Sequence, residues 1–228
     1  MKRLYCYHMT FNTGFAPNYG SAECPYCTLA CCASTVRSNY GKNFGESDAS
    51  DKDIWVAGLV GKELERRSSP YAGRYNTPVY LMHITEITTF ESYYQDPRFR
   101  SKRPTKDNPL GDNFYQKVGV SPVALKSYDG YAYFQHRDSL VSIDRDLSTP
   151  YVLISDDFYN FGGNFPDPDG FRDALGSKTF RAKYNGLEAV HEYISQNISK
   201  WTQFHNVYNC TSGNGKCGSC CGTLRTSC

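Results

Sequence analysis

No run in this sequence approaches the ~18 consecutive apolar residues that a membrane-spanning helix needs. Met1–Thr10 carries two basic side chains but no apolar core of the kind a secretory signal requires. The expectation is therefore a protein with no membrane partner. Charge of one sign is also lacking: the formal net charge is only +2 over 228 residues. That argues against a polycationic nucleic-acid binder, because phosphate affinity grows with the number of Lys and Arg engaged. There is no glycine-rich phosphate loop of the Walker or dinucleotide type, and no internal repeat.

What is present is a soluble composition, 39% apolar and 21% charged, long enough to bury a substantial core. The aromatic share is 15%, with 19 tyrosines. Tyrosine is bulky and amphipathic, so this excess suits half-buried strands and aromatic-lined clefts alike. Ten cysteines fall into two groups, Cys6 to Cys32 and Cys210 to Cys228. A disulfide framework normally accompanies a secretory signal and a smaller chain, so clustered thiols point to metal binding or reactivity.

In chain order, Leu4–Met9 reads as a strand and Phe11–Tyr26 as a loop punctuated by Gly14, Pro17, Gly20 and Pro25. Thr28–Val36 has the spacing of a short helix, and Ser38–Lys52 reads as a surface loop. Asp53–Leu59 and Val79–Ile87 are strands. Thr88 and Glu91 suggest a capping box opening a helix over Phe90–Gln95, which stops ahead of Pro97. Arg98–Lys106 is strongly basic. Tyr131–Gln135 and Tyr151–Ser155 are further strands, with a Gly/Pro/aromatic loop over Asp156–Gly170. Leu187, Val190, Ile194, Ile198 and Trp201 recur at helical spacing. Short strands with few helices in irregular order imply an α+β fold, a small mixed β-barrel with attached helices. Residues 1–205 read as a single domain, with a core over 4–165 and a C-terminal helix over 187–201. Residues 206–228 read as an irregular Cys-rich tail.

Several blocks then carry a resemblance. Gly14-Phe-Ala-Pro-Asn, Cys27-Thr-Leu-Ala-Cys-Cys up to Arg37, Asp53-Ile-Trp-Val-Ala-Gly and Tyr93-Tyr-Gln-Asp-Pro-Arg-Phe-Arg come first, followed by Gly111-Asp-Asn-Phe-Tyr and Val152-Leu-Ile-Ser-Asp-Asp-Phe-Tyr. In that order, over roughly residues 4–165, they resemble the nucleotide-modification-associated domain of the second type. That resemblance implies a setting of DNA base modification in bacteria and phages, and a cytoplasmic location in a bacterial or phage-infected cell. The implied partners are a nucleotide or DNA containing a modified base, and other DNA-modification proteins. The strands around Asp53 and Val79 also resemble PUA-like barrels, which read modified bases. Asn12 stands where the family commonly has an acidic residue, which weakens carboxylate acid/base chemistry at this loop.

Recognition of an extruded base needs edge contacts and a stacking face. Asn12, Asn18 and the backbone at Gly14 are candidates for the first, and Phe15 or Trp55 for the second. Arg37, Arg98, Lys102 and Arg103 are candidates for phosphate, since guanidinium groups suit bidentate contacts. Asp112, Asn113 and Tyr115 are expected to line the same cleft. An alternative is an enzyme with Cys27 as nucleophile or Asp112 as acid/base. Another is a zinc-stabilised interaction module of a phage or bacterial defence system, its metal held by two CxxC pairs, Cys24 and Cys27 with Cys217 and Cys220. The plainer readings are turns capped by their own Asn side chains, a solvated charge run and buried cysteines acting as small hydrophobes.

Overall fold

The computed structural model describes residues 3–67, 70–105, 108, 110–115, 145–176 and 187–208. Its elements are β1 (Arg3–Met9), β2 (Cys27–Leu29), α1 (Ser34–Phe44), β3 (Ser47–Asp48), β4 (Ile54–Val60) and α2 (Lys62–Arg67). Then come β5 (Pro78–His83), β6 (Glu86–Thr89), α3 (Phe90–Gln95), a 3-10 turn (Pro97–Lys102), β7 (Tyr151–Ser155), β8 (Asp157–Asn160), α4 (Pro168–Leu175) and α5 (Glu188–Asn197).

The strands make two four-stranded sheets, ordered β1-β4-β5-β8 and β2-β7-β6-β3. β1 and β4 run parallel and every other pairing is antiparallel. Alternation along each strand assigns its faces. The row Tyr5, Val56, Met82 and Phe158 of the first sheet packs on the row Leu29, Leu153 and Ile87 of the second. α1 adds Val36 and Tyr40 to that core, and the Tyr40 hydroxyl donates to the Trp55 carbonyl at 2.6 Å. The outer face of the first sheet, with Leu4, Cys6, Trp55 and Leu81, is covered by Phe171, Val190, Ile194 and Trp201 from α4, α5 and the turn beyond. The outer face of the second, with Val152 and Ile154, is covered by Phe90, Tyr93, Phe99 and Phe114. Each such side chain contributes about 1.5–3 kcal/mol when withdrawn from water.

The α+β class holds, but the described strands form two packed sheets rather than a closed PUA-like barrel. The chain changes sheet between β5 and β6, where Ile84 N–H donates to the Ile54 carbonyl and Thr85 N–H to the Ile154 carbonyl. The single strand expected over Val79–Ile87 is therefore two. The helix expected over Thr28–Val36 is also corrected. Cys27–Leu29 pairs with Leu153–Ser155, and helical geometry begins only at Ser34, after left-handed Cys32 and Ala33. α1 then occupies much of the expected Ser38–Lys52 loop, and β8 lies within the expected Asp156–Gly170 loop. α3 has the expected bounds, but its N-cap is Thr89, which accepts from Ser92 N–H at 3.3 Å. Thr88 instead donates to Glu46 at 2.8 Å. The strand expected at Tyr131–Gln135 lies outside the described residues, as does most of the Cys-rich tail.

Gly41 of α1 lies against the Tyr151 ring: a Cβ there would fall 2.0 Å from Tyr151 Cδ2. Gly41→Ala gains helix propensity but collides with this ring, so the expected outcome is a net loss of about 1–3 kcal/mol in urea unfolding. An increase in stability would show that α1 does not lie on Tyr151.

Candidate functional site

On the outer face of the second sheet, Thr28, Ile154, Glu86 and Asp48 form one cross-strand row. Two polar assemblies are built on its ends. The inner one is closed. Lys102, buried at the end of the 3-10 turn, donates from Nζ to the Asn18 carbonyl (3.1 Å), Asn18 Oδ1 (2.8 Å) and Thr28 Oγ1 (2.9 Å). Thr28 donates to Asp112 Oδ2 at 2.6 Å and Tyr93 donates to Asp112 Oδ1 at 2.9 Å. Asn18 Nδ2 reaches the Leu110 carbonyl at 3.0 Å. Burial pushes the Asp112 carboxyl up and the Lys102 ammonium down, and their mutual attraction opposes both shifts. Asn113 packs beside them and donates to the Tyr93 and Phe99 carbonyls at 3.1 and 3.0 Å.

A second buried assembly holds Arg37, whose Nε donates to the Cys32 carbonyl at 2.9 Å. Its Nη atoms reach the carbonyls of Thr149, Tyr151 and Asp146 and the Asp146 carboxylate, the last at 3.1 Å. Tyr115 donates to the other Asp146 oxygen at 3.0 Å.

The remaining candidates lie elsewhere. Phe15 is buried and stacks on Phe114 at 5.8 Å, after left-handed Gly14 (φ 78°). Asn12 lies by the inter-sheet core, donating to Tyr71 and accepting from Tyr19. Trp55 is on the far side of both sheets, stacked on His83 at 4.7 Å. Arg103 covers the Tyr94 ring and donates to the Tyr94 carbonyl. Cys24 donates to the Arg98 carbonyl on the outer side of the second sheet, whereas Cys27 faces Met82 between the sheets. Those two thiols do not converge, and Cys217 and Cys220 lie outside the described residues.

The open assembly lies at the other end of the row. A cleft of about 660 Å³ is lined by Tyr26 from the early loop, Glu46, Asp48 and Ser50, Glu86 and its neighbours on β6, Ser92, Asp156, and Asp96 and Arg98 from the basic bend. Arg98 is held in a bidentate pair with Glu86 (2.9 and 2.9 Å) and reaches Asp96 at 2.6–2.8 Å. These carboxylates push its pKa further up. Five carboxylates against one guanidinium give the cleft an acidic lining. The early loop and the basic bend thus meet at this cleft. The carboxylates of Glu46, Asp48 and Glu86, however, carried no sequence signal, because isolated acids in polar segments usually face solvent.

A further polar group missed in sequence is His83, Asp157 and His205. His83 Nδ1 lies 3.4 Å and His205 Nε2 3.0 Å from the Asp157 carboxylate, fastening the segment after α5 to β8. Hydrogen bonding to His83 is the leading cause that holds Asp157 below its ordinary pKa.

A family model described as nucleotide modification associated domain 2 matches residues 1–211. No curated protein and no solved structure matches the chain. No described helix is long and apolar enough to cross a membrane.

Cys27 has no exposed surface and burial pushes its thiol up. Alkylation near neutral pH is expected to be slow and to track unfolding, as read by mass spectrometry of the labelled peptide. Rapid labelling of folded protein would show an accessible thiolate instead. Asp157 is depressed in the folded state, so its contribution to stability is present above the ordinary carboxylate pKa of about 4 and is lost as pH falls through the folded value. Asp157→Asn should therefore melt below wild type at neutral pH, with the gap closing in acid.

Proposed function

The chain belongs to the nucleotide modification associated domain 2 family, and on that premise we propose that it recognises a nucleobase at the Tyr26–Glu86–Arg98 cleft as part of a nucleotide-modification system. The observation that carries this reading is the meeting of the early aromatic loop and the basic bend around one nucleotide-sized space. Ligand pockets typically span about 300–1,000 Å³.

Tyr26 offers an aromatic face, half-buried on the cleft wall. The carboxylates of Glu46, Glu86 and Asp96 accept hydrogen bonds from the amino and imino edges of a base, as acidic side chains do with cytosine amino groups. The hydroxyls of Ser47, Thr85, Thr88 and Ser92 supply adaptable donors and acceptors. Arg98 closes the space but already has two acids on its fork, so a phosphate takes it only by displacing them. The acidic lining favours the base over its phosphates. A phosphate therefore lies toward the exposed side of Arg98, while Lys102 and Asp112 act from behind by holding the bend against the loop.

Nucleosides and nucleotides, unmodified and modified, titrated against the purified chain provide the test. A nucleoside is expected to bind at least as well as its triphosphate, with weak salt dependence. Tyr26→Ala and Glu86→Gln should each weaken binding by about 10-fold or more, the scale of a lost stack or charged hydrogen bond. Undiminished binding in both variants would move the base elsewhere.

A further inference from the structure

A second cluster, on the turn that joins β2 to α1, has a different donor set and does not depend on the cleft. Cys31 Sγ, Cys32 Sγ and a carboxylate oxygen of Asp146 all lie within 4.8 Å of one another. Adjacent side chains on extended backbone point to opposite sides, so two neighbouring thiols rarely reach one partner. Here Cys32 (φ 55°) and Ala33 (φ 40°) are both left-handed, although neither is glycine. That conformation costs about 1–2 kcal/mol per residue. It also breaks the alternation and lets the sulfurs converge.

We propose that Cys31, Cys32 and Asp146 form a binding site for a thiophilic divalent cation of the zinc class. Zinc bonds thiolate at about 2.3 Å and carboxylate at about 2.0–2.2 Å. Tetrahedral coordination then separates the donor atoms by roughly 3.5–4 Å, inside the observed spread. Three protein ligands leave one coordination position for water or an exogenous group, the arrangement that zinc adopts where it does chemistry.

The surroundings fit this cation. Arg37 holds Asp146 Oδ1 at 3.1 Å and Tyr115 holds the other oxygen at 3.0 Å, the kind of supporting contacts that orient a ligating carboxylate. The guanidinium and carboxylate already cancel. When the ion enters, each thiol releases its proton to solvent and two sulfur–metal bonds form. One divalent charge replaces two protons, the enclosure stays neutral, and no oxidant or reductant is needed. Cys31 is fully buried, while Cys32 is partly exposed and provides the entry side.

The test uses the full chain carrying Cys217→Ser and Cys220→Ser, so that the tail pair cannot contribute. After chelation it is titrated with Zn²⁺, and separately with Co²⁺ as a spectroscopic probe. One equivalent should bind with release of two protons, read from calorimetry in buffers of different ionisation enthalpy. Affinity should rise about 100-fold per pH unit while the thiols are protonated. Cobalt should show sulfur-to-metal charge transfer. Cys31→Ser and Cys32→Ser should each lose the equivalent, and Cys24→Ser and Cys27→Ser should keep it. Cys32→Ser is the milder change, and its unaltered circular dichroism would separate lost ligation from lost folding. Absence of a stoichiometric ion, or full retention in Cys32→Ser, overturns the proposal.

Discussion

A guanidinium with no exposed surface ties three separate parts of this chain together. Arg37 projects from the first turn of α1 into carbonyls on both sides of Pro150 and onto the Asp146 carboxylate, while its Nε returns to Cys32. Withdrawing this ion from water costs several kcal/mol, which is offset only because its donors are met by oxygen and its charge by one acid. The turn after β2, the entry to β7 and the 145–150 segment are thereby fixed relative to one another. The left-handed pair at Cys32 and Ala33 sits inside that frame, which is why a strained turn persists there.

Lys102 plays the corresponding part on the neighbouring stretch of the same sheet face. It satisfies all three of its protons within the protein and places the basic bend against Asn18 and Thr28. Tyr26 and Arg98, each a short distance along the chain from that anchor, consequently meet on the cleft wall, the guanidinium carbon lying 5.6 Å from the centre of the ring. Fully satisfied buried networks specify one geometry. The division of labour is physical: the buried polar residues build the frame, and those toward β3 line the cleft.

Much of this was legible in the sequence. β1, β7 and the helix after Leu187 follow from apolar runs and helical spacing, β4 from a run buried on both faces, and α3 from its stop ahead of Pro97. The early loop and the basic bend pack together through Lys102, which reaches Asn18 and Thr28. Periodicity misled at Thr28–Val36, where the pairing of Thr28 with Ile154 overrides local helical spacing. It misled again at Ile84, where the alternating run from Val79 to Ile87 conceals a change of sheet. Asp146, Glu86 and Asp157 gave no signal, since a carboxylate acquires its role from distant residues that only the fold brings near. Trp55 read as a stacking plane because aromatic identity shows in sequence, whereas the face of a strand pointing away from the loop does not.

The strand pairings also bear on how the chain is made. β2 is registered on β7, with Cys27 opposite Ser155, and β5 on β8, with His83 opposite Asp157. Neither sheet can be completed until well over half of the polypeptide has left the ribosome. During that interval β1, β4 and β5 can associate, but the thiol-bearing segment has no partner strand to shield it. Long-range pairing of this sort is slow, and nascent chains that wait with open strand edges are prone to aggregate. Both sheets of this protein therefore wait on residues 151–160 before their last strands are in place.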